Sequence, residues 1–140
     1  MSEKYYPIEL LHWSGMNDEN IDKVKIILDT HPEYINTLNS LHDNALIIAC
    51  RMGNLEIAKY LVENTNIDIQ HATKEGNALT VAVEKKHKEI IDYLVLNSDI
   101  EIERRIQEIE LIKELKIKRT YRDLNKNLEG KKKIKNNSKI

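Results

Sequence analysis

The chain has 140 residues with a formal net charge of −1 at pH 7 and 32% charged residues, length enough for one domain and too little for two ordinary ones. Its single cysteine excludes an intrachain disulfide framework or a cysteine-based zinc site, and the sequence holds no run of 18 apolar residues that could cross a bilayer. The small net charge hides an asymmetry: Lys113 to the C-terminus carries net +8 and the 112 residues before it net −9, an acidic body with a basic tail.

The start, "MSEKYYPIELLHW", lacks the basic segment, long apolar run and small-residue cleavage site of a secretory signal, so a cytoplasmic location is expected, in the protein's own cell or in a host's. "LHWSG" (Leu11 to Gly15) and "IDKVKIIL" (Ile21 to Leu28) predict the two short helices of a degenerate first unit, at about residues 10–43. In a second unit, at about 44–76, Asn44 can cap a helix whose Leu46, Ala49 and Cys50 share one face, and Gly53 can end it in the left-handed conformation. Leu55, Ala58, Leu61 and Val62 then form the stripe of a second helix, and the alternation in Ile67, Asp68 and Ile69 marks an extended return.

A third unit, at about 77–109, repeats the second. Asn44 to Ile69 and Asn77 to Ile102 are identical at 12 of 26 positions at an offset of 33, among them Ala49/Ala82, Ile57/Ile90, Tyr60/Tyr93 and Leu61/Leu94. "IDKVKIIL" aligns with "LEIAKYLV" at an offset of 34, which places an extra residue around "NDEN" and another after Ile35. Lys86 stands where the second unit has its helix-ending Gly53, and a Cβ in that conformation costs roughly 1 kcal/mol. Beyond, Ile102, Ile106, Ile109, Ile112 and Leu115, continued by Tyr121, Leu124 and Leu128, follow spacings of three or four. They predict an amphipathic helix over 111–129 that caps the stack, with a monomer favoured over a homo-oligomer. Leu115 is large for the place of Ala82, and Arg119 replaces the glycine there. Residues 130–140, "GKKKIKNNSKI", are expected to be a disordered basic tail.

The 33-residue period and these motifs resemble ankyrin repeats, whose pattern runs roughly Thr-Pro-Leu-His, Ala-Ala, Gly-His, Leu-Glu-Ile-Val and Leu-Leu before an extended segment. In "NALIIACRMGNLEIAKYLV", Asn44, Ala45 and Leu46 stand at the Thr-Pro-Leu positions, Ala49 and Cys50 at the Ala pair, and Gly53-Asn54 at the Gly-His pair. The resemblance implies an all-α ankyrin-repeat solenoid of helix-turn-helix units over 1–110 with a helical C-terminal cap. It departs from the pattern at the His positions, which hold Ile47 and Thr80, so the family's Thr-to-His hydrogen bonding is missing there and packing is expected to compensate. His12 fits that position in the first unit as a structural residue.

The same resemblance implies a non-catalytic module that binds another protein through a concave groove. The tips are then Leu41, His42 and Asp43, followed by Lys74, Glu75 and Gly76; the groove-facing positions are Ile48, Arg51 and Met52, followed by Val81, Glu84 and Lys85. Arg51 and Met52 suit an interface core, Glu84 and Lys85 a polar rim. The five histidines show no metal-ligand spacing, Cys50 falls at a core position, and the four glycines are too dispersed for a phosphate loop, so neither catalysis nor a cofactor nor a metal is expected. The alternative reading is a nucleic-acid or nuclear-targeted protein acting through its basic tail, against which only Tyr121 interleaves an aromatic ring with the charges. Ile, Lys and Asn supply over a third of the residues and Phe none. Short ankyrin-like chains of this style are familiar from intracellular bacteria and large DNA viruses, where some act on host proteins, and the style raises a host-directed role.

Overall fold

A computed structural model describes residues 4–103 and 109–137 of the chain. Three helix pairs follow one another: α1 (Pro7–Met16) with α2 (Ile21–Thr30), α3 (Ala45–Met52) with α4 (Leu55–Asn64), and α5 (Ala78–Glu84) with α6 (Lys88–Asn97). A hairpin of two-residue strands, β1 (Ala72–Thr73) and β2 (Gly76–Asn77), precedes α5, and a long helix, α7 (Ile109–Asn137), closes the chain.

The first helices of the pairs form an inner row, α1 on α3 and α3 on α5, in closer contact than the outer row of α2, α4 and α6. Small side chains permit this approach: Ser14 in α1, Ala45 and Ala49 in α3, and Ala78 and Ala82 in α5 are all buried. A Cβ on Gly15 would lie 2.9 Å from Ile48 Cγ2, so α1 and α3 meet over a glycine. Leu46, Ile57, Leu61, Leu79, Ile90 and Leu94 fill the space between the rows in one continuous core. No single pair could bury these faces alone, and stacking is what makes the units stable.

The turns within the second and third pairs repeat in geometry although not in sequence. Gly53 takes φ +78, and the Asn54 amide donates to the Ala49 carbonyl at 2.9 Å. Lys86 takes φ +60, and the His87 amide donates to the Ala82 carbonyl at 3.0 Å. The residue after each turn reaches back to the preceding unit: Asn54 Nδ2 donates to the Ser14 carbonyl at 2.9 Å, and His87 Nε2 to the Arg51 carbonyl at 3.0 Å. Lys86 is exposed and its turn needs no side chain, so Lys86→Gly should stabilise the fold by up to about 1 kcal/mol, relief of strain outweighing the added freedom of the unfolded chain. A thermal melt with a raised midpoint is the expected result; an unchanged or lowered midpoint would reject this account of the turn.

Hydrogen bonds, beyond packing alone, make up for the missing Thr-to-His pairs. Asn44 Oδ1 accepts from the Ile47 amide at 3.0 Å while its Nδ2 donates to the Asp68 carbonyl at 3.1 Å. Asn77 does the same one unit later, with the Thr80 amide at 3.0 Å and the Glu101 carbonyl at 2.8 Å. One asparagine thus caps its own helix and ties it to the extended return that follows. The "NDEN" insertion also has a place: Asp18 Oδ1 accepts from the Ile57 amide at 3.1 Å, a carboxylate on the positive end of α4.

At the other end, Leu115 is buried and Leu111 and Ile112 pack beside it on the core, with α7 lying chiefly against α6. Arg119 donates to the carbonyls of Val95, Ser98 and Ile100 at 3.2, 3.3 and 2.7 Å, and Arg122 to that of Ser98 at 2.8 Å and to Asp99 Oδ1 at 3.1 Å. Two guanidinium groups therefore close the negative end of α6, which explains the arginine found in the place of a glycine. Of the tail expected to be disordered, residues 130–137 are described as the end of α7, which runs on from its docked inner half, and 138–140 lie outside the described residues. Ile106, counted in the predicted stripe, lies outside the described residues.

Candidate partner-binding face

The loop before α3 is shaped by one side chain. Asn39 Oδ1 accepts from the amides of Leu41 and Asp43, both at 2.9 Å, and the Asn39 amide donates to the Asp43 carbonyl at 3.1 Å. His42, at the tip, is left with φ +64. The next finger, β1–β2, has Lys74 and Glu75 at its tip and Gly76 at φ +110 on its return. His71 Nε2 donates to the His42 carbonyl at 2.6 Å, joining the base of the second finger to the tip of the first.

Arg51 lies between them. Its Nη1 and Nη2 donate to the two Asp43 carboxylate oxygens at 2.6 and 3.2 Å, and Nη2 also donates to Glu75 Oε2 at 3.1 Å. The hydrogen bond that Arg51 donates to Asp43 raises the Arg51 pKa above its ordinary value against the opposing effect of burial. This fork links the loop of one unit to the finger of the next, so Arg51 sets the distance between fingers.

The sequence-predicted residues divide accordingly. His42, Met52, Lys74, Glu75, Glu84 and Lys85 are exposed, and Ile48 and Arg51 half-buried. Asp43 and Val81, expected at the surface, are each only 1% exposed. Asp43 is turned inward by the Asn39 loop to meet Arg51, and Val81 packs into the core; neither can reach a partner. Leu41, a predicted tip, is 66% exposed. Between the two fingers is a hollow of about 470 Å³ lined by Ser40, Leu41, His42, Ala72, Thr73, Lys74 and Glu75. A larger one, of about 670 Å³, sits away from this face at the N-terminal end of the stack, among Tyr5, Tyr6, Ile26, Thr30, His31 and Tyr34.

Burial pushes the Cys50 thiol up to about 12, which keeps it protonated and a poor nucleophile at neutral pH. Among the described residues no group of three or more His, Cys, Asp or Glu side chains could hold a metal ion, and no helix is long and apolar enough to cross a membrane.

Paired helices in two rows, the second and third pairs joined by left-handed turns and preceded by fingers at one edge of the inner row, define a helical-repeat solenoid. A family model described as ankyrin repeats (3 copies) matches residues 11–106, and the chain belongs to the ankyrin-repeat family. Comparisons with curated proteins and with solved structures found no match. Repeats of this family are generally protein–protein interaction modules and typically not catalytic.

Proposed function

We propose that the chain binds a partner protein on its concave face, at the fingers before α3 and α5, without catalysing a reaction on it. The observation that carries this reading is the hollow between those fingers, which has an exposed leucine at its rim and a framework fixed by Arg51. A rigid concavity with an apolar anchor favours binding, because little freedom is lost when the partner arrives. Met52, 54% exposed at the far end of α3, offers a second anchor, and Lys74, Glu75, Glu84 and Lys85 supply a rim of both charges.

Capture of partners on immobilised wild-type chain, repeated with Leu41→Glu and Met52→Glu together, tests the site. Both side chains are surface groups, so the double variant should melt like wild type while affinity for the captured protein falls at least about tenfold, the effect of losing a hot-spot contact. A partner held equally by both would move the site elsewhere. Arg51→Glu is a poorer probe, since it sets a third carboxylate against Asp43 and Glu75 and disturbs the framework together with the surface.

A further inference from the structure

We propose that α7 carries a self-association surface on which two copies of the chain pair antiparallel. Ile117, Tyr121, Leu124 and Leu128 are 52–64% exposed and follow spacings of four, three and four, the seam of a two-helix coil. At about 100° per residue they fall about 180–240° around the helix from the buried Leu115, so the stripe faces away from the repeats and nothing in the stack obstructs it. From Asp123 to Lys132 no described side chain is buried. A helix that projects in this way from its docked half is marginal in water unless another surface supports it.

Charge selects the occupant and its direction. Continuing the seam one step beyond each end brings Glu114 on the N-terminal side and Lys131 on the C-terminal side, both exposed. In an antiparallel pair Ile117 lies opposite Leu128 of the second copy and Tyr121 opposite Leu124, and the same register sets Glu114 opposite Lys131 at both ends. A parallel pair would instead set Glu114 against Glu114 and Lys131 against Lys131. Glu114 now pairs with Lys118 at 3.3 Å on its own helix, and Lys118 keeps Asp92 at 2.9 Å when Glu114 turns to the second copy. The monomer expected from sequence is then the dilute form of a weak dimer.

Sedimentation equilibrium of the full chain, from low to high micromolar concentration, should show the mass rising from 16.4 kDa toward twice that value. Tyr121→Glu with Leu124→Glu should remain monomeric throughout with an unchanged melt of the repeats. Glu114→Lys alone and Lys131→Glu alone should each weaken association several-fold, and the two together should restore it. Under oxidising conditions Ile117→Cys mixed with Leu128→Cys should cross-link while neither does so by itself; Cys50 is buried and does not compete. A chain monomeric at every concentration, Ile117→Cys cross-linking to itself, or a charge-exchanged double variant that stays weak would each overturn the proposal.

Discussion

Gly76→Ala is expected to destabilise the fold by about 3 kcal/mol, from backbone strain and overpacking together. The backbone there has φ +110, outside the left-handed well that an asparagine or lysine can adopt, so any Cβ is strained regardless of space. Space is also lacking: the new methyl would lie 2.6 Å from Thr80 Cβ and 2.7 Å from its Cγ2. Thr80 cannot yield, because it is buried and its hydroxyl donates toward Asn77 Oδ1 at 3.1 Å and Glu103 Oε1 at 3.0 Å. The finger must shift instead, and partner affinity should fall by more than the loss of folded protein accounts for. Urea denaturation measures the first effect and titration of a captured partner the second. A loss below about 1 kcal/mol would show that the finger relaxes freely and is no fixed framework.

Asn77→Ala is expected to cost about 2 kcal/mol, as the sum of a lost helix cap and a lost hydrogen bond to the Glu101 carbonyl. Its one side chain accepts from the Thr80 amide and donates to the Glu101 carbonyl, and it is 2% exposed, so water does not readily replace it. Asn77→Ser separates the two parts: a serine hydroxyl can still cap α5 but is too short to reach Glu101. It should recover about 1 kcal/mol of the loss, measured by urea denaturation with an unchanged slope. Equal losses for alanine and serine would assign the whole effect to the tie between α5 and the extended return, and full recovery would assign it to the cap.

The solenoid was legible because its requirements are local and periodic. Ala49 and Ala82 are small where inner helices meet, Leu61 and Leu94 are large where the rows face each other, and a period of 33 residues aligns these sites. Even Lys86 could be placed in a left-handed turn, since Gly53 one period earlier marks the position. The candidate site was less legible because its geometry depends on side chains that meet across units. Spacing cannot show that Arg51 finds Asp43 eight residues back and Glu75 in the next finger, nor that Asn39 turns Asp43 inward. Position within the unit placed Val81 on the surface like Ile48, yet Val81 is buried and Ile48 only partly so.

The ends of the stack escaped the pattern for a related reason. Arg119 reads as a broken turn glycine only if α7 repeats the earlier units; docked on α6, it supplies hydrogen-bond donors to three carbonyls. The composition of residues 130–140 gives no apolar face of its own, and the helix through Asn137 is inherited from the segment before it. Asp18, in an insertion with no counterpart in the other units, caps a helix 39 residues away, a contact no repeat alignment contains.

Amide hydrogen exchange on the chain with and without a captured partner tests the central claim most directly. If the partner sits between the fingers on the concave face, protection should rise at residues 39–43 and 71–76 and along α3, and the outer helices α2, α4 and α6 should exchange as in the free chain. Protection confined to those outer helices, with the fingers unchanged, would contradict the account.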